Sequence, residues 1–134
     1  MGRASADGSR DLTLPANGSS PRAARRFLTD TLRRSDVGST VADRATLLTS
    51  ELVTNAVRYG RGLVTLTVCA QPPAVRVVVH DDNPALPTLG RDDDHAAEAG
   101  RGLRLVEALA TRWGTDPHPP DGKDVWFEID LREP

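Results

Sequence analysis

A chain of 134 residues has the length of one domain and can bury roughly two thirds of its unfolded surface, so it can fold without disulfides or metals as staples. Aromatics at 4 % predict an aliphatic core, and a net charge of −2 with a pI of about 5.9 gives no basic footprint for DNA, RNA or an anionic membrane. The single Cys69 excludes an internal disulfide, no stretch approaches the roughly 20 apolar residues of a membrane-spanning helix, and no apolar signal core opens the chain, so a cytoplasmic protein is expected.

Residues 1–10, MGRASADGSR, are small, polar and aperiodic, which predicts a loose tail ahead of one domain over 11–134. DLTLP, 11–15, alternates and predicts a short edge strand. Ser20-Pro21 reads as a helix start, with Ser as cap and Pro at the first helical position, and Ala24, Phe27, Leu28, Thr31 and Leu32 recur at helical spacing to about Arg34. After SDVGS, 35–39, Thr40 and Asp43 fit a Thr-x-x-acid cap and Gly60 a left-handed closing residue, which bound a long second helix. LVTLTVCA, 63–70, and AVRVVVH, 74–80, alternate around Pro72-Pro73 and predict an antiparallel hairpin, with Cys69 as a small buried hydrophobe.

Residues 81–99 hold two prolines, a glycine and an acidic run without a steady period, which predicts a long irregular loop of the kind that serves as a lid. Gly100-Arg101-Gly102 closes it, and Leu103, Val106, Leu109 and Ala110 predict a third helix that stops near Trp113-Gly114. A turn at 117–122 and the strand VWFEIDL, 125–131, complete the chain. Helices segregate from strands, so the expected class is α+β: a two-layer α/β sandwich, with a mixed, mostly antiparallel sheet and three helices on one face.

Three polar clusters interrupt these patterns. In TSELVTNAVRYG, 49–60, Glu51 and Asn55 fall about 40° apart on one helical edge, and Asn is a poor mid-helix residue. Such a pair offers a hard oxygen ligand to Mg²⁺ and a general base, or it is a solvated face. Asp81, where the buried strand leaves the sheet, can accept a hydrogen bond from an exocyclic amine such as that of adenine, or can form a turn with Asp82, Asn83 and Pro84. Gly100-x-Gly102 ahead of a helix can seat a phosphate on free amides, or act as a hinge with no ligand. His80, His95 and His118 are scattered without metal spacing, and the lone Lys123 among sixteen arginines reads as coding bias.

The order of the clusters is more specific than any one of them: helix Glu-x-x-x-Asn, strand-end Asp, loop, then Gly-x-Gly-Leu. In that order the chain resembles the histidine-kinase-type ATPase superfamily, the Bergerat fold, and within it the short anti-sigma-factor serine/threonine kinases of actinobacteria, over roughly residues 11–131. The resemblance implies ATP and Mg²⁺ as cofactors, with Glu51 as general base and Asn55 as Mg²⁺ ligand in ELVTNAVRYG. Asp81 in HDDNPALP would read the adenine amine with Asn83 beside it, and Gly100, Arg101, Gly102 and Leu103 would form the glycine box around the phosphates, with the loop between as lid. Two departures stand out. Asn83 and Ala85 hold the glycine positions of the family's Asp-x-Gly-x-Gly, and Asp124 stands where a Thr is frequent, which would bring a carboxylate near the base and phosphates. The resemblance further implies phosphorylation of an anti-anti-sigma (STAS-type) partner, sequestration of a sigma factor, and a possible homodimer. The alternative is a non-catalytic protein-binding regulator of the same fold with weak or no ATP use.

Overall fold

The computed structural model describes residues 2–4, 8–59, 62–85 and 94–132, with the backbone alone for 2–4 and 94–101. In chain order the elements are β1 (Gly2–Ala4), β2 (Ser9–Pro15), α1 (Ser20–Arg33), α2 (Ser39–Tyr59), β3 (Leu63–Gln71), β4 (Ala74–Asp81), α3 (Asp94–Leu109), β5 (Arg112–Pro117) and β6 (Lys123–Asp130). The strands make one sheet in the order β1-β2-β3-β4-β6-β5. All the described pairings are antiparallel, so the sheet is simpler than the mixed one expected.

Period-2 alternation decides which face of the sheet is covered. Val64, Leu66, Val68 and Ala70 of β3, Val75, Val77 and Val79 of β4, and Val125, Phe127 and Ile129 of β6 all point one way and are buried. α1 packs over β2 and β3, α2 over β3, β4 and β6, and α3 against α2 and β5. Leu28 and Leu32 of α1, Leu48, Leu52 and Val53 of α2, and Leu103 and Val106 of α3 close the core from the helical side. Each such side chain contributes about 1.5–3 kcal/mol on burial. The two-layer α+β sandwich is the observed class, with an aliphatic core as composition predicts.

Arg10 fastens β2 to α1: its guanidinium lies 4.7 Å from the Phe27 ring centroid and donates to Asp30 at 3.0 Å and to Thr31 Oγ1 at 2.8 Å. Several local expectations shift. Residues 2–4 form β1 and Ser9 and Arg10 begin β2, where a loose tail was expected. Ser20 is the first residue of α1 and its hydroxyl donates to the Pro15 carbonyl; the N-cap position belongs to Ser19, which makes no side-chain cap. α2 begins at Ser39, one residue ahead of Thr40, and Gly60 lies outside the described residues. Cys69 is half-buried on the uncovered face, because the buried residues of β3 are the even-numbered ones.

Candidate functional site

α2 carries the first polar group. Glu51 and Asn55 stand one turn apart on it, and Gly102 of α3 meets both: a Cβ built on Gly102 would lie 2.9 Å from Asn55 Nδ2 and 3.5 Å from Glu51 Oε2. The missing side chain is what lets the helices approach here. This moves the glycine box from where the sequence places it. α3 begins at Asp94, so Gly100, Arg101, Gly102 and Leu103 stand inside a helix, where backbone amides bond carbonyls four residues back and are not a free phosphate seat. Two glycines cost a helix about 1 kcal/mol each, and the run Ala96, Ala97, Glu98, Ala99 before Gly100 favours continuing it. Leu103 is 2 % exposed and packs in the core. The side chain of Arg101 and residues 86–93 of the loop expected as a lid lie outside the described residues.

The second group closes the exit of β4. Asp81 is 3 % exposed, and its partner across the β4–β6 ladder is Lys123, 5 % exposed. Lys123 Nζ donates to Asp81 Oδ1 at 3.0 Å and to the Asn83 carbonyl at 2.8 Å. The Asn83 N–H donates to the same Oδ1 at 2.9 Å, which makes the turn an Asx-turn. Asn83 Nδ2 donates to the Tyr59 carbonyl at 2.9 Å and so ties the turn to the last turn of α2. Gly122, at φ 101°, allows β6 to start this close, since a Cβ there would run into the Asp81 carbonyl. Stranding either charge of a buried pair costs about 3–5 kcal/mol.

Lys123 was not singled out by the sequence as a site residue. Its signal was its phase: in KDVWFEID, positions 123, 125, 127 and 129 share the buried face. The two groups are joined through α2, since Tyr59 lies four residues beyond Asn55, about 6 Å along the axis. Glu51, Asn55 and Gly102 are thus brought together, and Asp81 with Asn83 one helical turn further on.

Asp124 does not crowd this region. It points to the opposite face of the sheet, hydrogen-bonded to His80 Nδ1 at 2.8 Å and to His118 Nε2 at 3.2 Å, with the two rings 6.5 Å apart. The expectation of a carboxylate beside base and phosphates is therefore overturned by strand parity, and two of the scattered histidines are neighbours. Among the described residues no group of three His, Cys, Asp or Glu is arranged to hold a metal ion. A hollow of about 590 Å³ lies beside the β4 exit turn, lined by Asp82, Asn83, Pro84, Ala85, Pro119 and Pro120. It adjoins the second polar group through Asn83, whereas Glu51, Asn55, Asp81 and Gly102 do not line it.

A family profile described as a histidine kinase-like ATPase domain matches residues 14–129. The RsbU and RsbW domains of Rv1364c from Mycobacterium tuberculosis superpose with a TM-score of 0.69 at 20 % identity, over 90 % of this chain and 31 % of that one. The histidine kinase domain of the blue-light activated histidine kinase from Erythrobacter litoralis EL346 superposes with a TM-score of 0.53 at 20 % identity, over 88 % of this chain and 62 % of that one. The chain thus spans about a third of the first structure and under two thirds of the second, and at that identity the likeness concerns the fold alone. No curated protein sequence matches significantly.

Proposed function

The chain belongs to the histidine kinase-like ATPase domain family, and from that premise we propose that it binds Mg²⁺-ATP at α2, the β4 exit and α3, phosphorylates Ser or Thr of an anti-anti-sigma (STAS-type) partner, and sequesters a sigma factor. The observation that carries the reading is the approach of Gly102 to both Glu51 and Asn55, with Asp81 and Asn83 one turn of α2 away. The likeness to a structure containing an RsbW domain supports the regulatory side of it.

The donor set fits the cofactor. A carboxamide oxygen suits the hard Mg²⁺ and a carboxylate stands one turn off on α2, with Gly102 packed directly against both. Bound Mg²⁺-ATP supplies the phosphoryl group and the charge neutralisation its transfer needs. In this reading Asn55 would hold the metal, Asp81 would accept a hydrogen bond from the adenine amine, Gly102 would leave room for the phosphates, and Glu51 would take the proton of the incoming hydroxyl. For phosphates to reach Asn55, α3 must draw back from its contact at Gly102.

The test is transfer of label from γ-labelled ATP to a STAS-type acceptor. Glu51→Ala should lower transfer by about 10²–10⁴-fold and leave ATP binding within a few fold; unchanged transfer removes Glu51 as base. Asn55→Ala should abolish Mg²⁺-dependent binding. One feature favours a second reading, a non-catalytic regulator: Asn83 and Ala85 stand at the glycine positions of the family's first glycine box. Calorimetry separates the two, since no heat with Mg²⁺-ATP leaves only the protein-binding role.

A further inference from the structure

Lys123 is the one lysine against sixteen arginines, and among the described residues it is the one buried cation. How a lysine bonds explains why it suits the place. Its ammonium is a compact charge with three rotatable donors. One goes to Asp81 Oδ1 at 3.0 Å and one to the Asn83 carbonyl at 2.8 Å. The Asn83 N–H takes the same carboxylate oxygen at 2.9 Å. Both of these bonds to the carboxylate fall on Oδ1, which leaves Oδ2 as the oxygen to meet a base. An arginine at 123 would act differently, because its planar fork pairs with both oxygens of a carboxylate at once.

Resting on the reading of Asp81 as the group that meets the base, we propose that Lys123 is a specificity-determining positioning residue: by engaging Oδ1 alone it holds the Asp81 carboxylate as a fixed acceptor whose Oδ2 selects a 6-amino purine over a 6-keto purine. An ionised carboxylate only accepts hydrogen bonds, so it takes the N–H of an amine and opposes lone pairs to a keto oxygen. The tether matters as much as the charge. Bonded to β6 through Lys123 and to the turn through Asn83, the carboxylate cannot rotate to hide Oδ2.

The experiment measures binding of ATP and inosine triphosphate, a 6-amino and a 6-keto purine nucleotide, to the full chain with Mg²⁺ by calorimetry. The wild type should favour ATP by on the order of tenfold to a hundredfold. Lys123→Arg keeps the charge but should claim Oδ2 as well, so, with the fold checked by its melting curve, ATP affinity should fall about tenfold or more and the ratio drop toward one. Asp81→Asn should lose the ratio by itself, because a carboxamide can turn either a donor or an acceptor to the base. Adding Lys123→Met to Asp81→Asn should then change the ratio no further, since Lys123 acts through Asp81. That double variant carries neither buried charge and so avoids the cost of the stranded charge that Lys123→Met and Asp81→Asn each leave alone; circular dichroism at the binding temperature checks that each variant is folded before its ratio is read.

A ratio kept in Lys123→Arg, with both affinities unchanged or falling in parallel, makes Lys123 a purely structural residue and overturns the inference. A double variant whose ratio departs from that of Asp81→Asn overturns it too. A wild type that binds neither nucleotide sinks the ATP reading and this inference together, whereas a wild type that prefers ATP with a Lys123→Arg ratio to match sinks the inference alone.

Discussion

At Gly102 a single absent carbon decides whether two helices touch. Alanine there would raise the helix propensity of α3 by about 1 kcal/mol, but its Cβ would press on the Asn55 amide at 2.9 Å. That amide ends a short side chain that can give way without disturbing the core. Gly102→Ala is therefore expected to hold or raise the melting temperature and to lower Mg²⁺-ATP affinity at least about tenfold, checked by calorimetry of unfolding and of binding on one preparation. A fall in both would show a packing defect instead. Some residues of the site were legible from spacing, since Glu51 and Asn55 follow from a four-residue interval on a helix. Lys123 was not, because its meeting with Asp81 depends on β4 and β6 pairing across 42 residues of chain, a register that local pattern does not contain.

Across the uncovered face, β4, β6 and β5 carry a ladder of charge. Glu128 accepts from Arg112 Nε at 2.7 Å and from Arg76 at 3.1 Å, and Arg112 also pairs with Asp130. The Arg112 hydrogen bond holds the Glu128 carboxyl below its ordinary range, partly offset by burial and aided by Arg76, while Asp130 and Glu128 raise Arg112 well above its own. A carboxyl depressed on folding stabilises in full above its unfolded pKa, about 4.3 for Glu, and the contribution is lost as the pH falls through the folded value. Glu128→Gln should therefore melt below the wild type at pH 7, and the gap should close as the pH is taken below about 4. These groups are largely solvated, so the gap is small and should shrink in high salt. A gap that persists unchanged in acid would assign it to packing. Elements of strong period, α2 and the β3–β4 hairpin, were legible in the sequence. The second half of α3 was legible too, from Leu103, Val106 and Leu109, but its start at Asp94 was not, because the first turns coincide with an aperiodic acidic run and two glycines that read as breakers, yet glycine inside a helix is tolerated where a neighbour must come close.

With all three helices on one face, the proposed ligand site lies entirely on the helical side of the sheet. A ligand that binds only the folded chain adds about 2.7 kcal/mol at a hundred times its Kd, a rise of roughly 10 °C for a domain of this size. Millimolar Mg²⁺-ATP should produce such a rise, and EDTA should remove most of it; a melting curve unmoved by Mg²⁺-ATP would favour the non-catalytic regulator. The two-layer class was legible because strands and helices announce themselves by different periods, whereas the side of the sheet that each residue takes had to wait for parity and register. Cys69 shows what that parity brings. The chain's only thiol sits in register with Arg76 on the bare back of the sheet, opposite the helical layer. Maleimide chemistry therefore has a single address, on the face that the three helices leave uncovered, where a spin label or dye disturbs neither α2 nor α3.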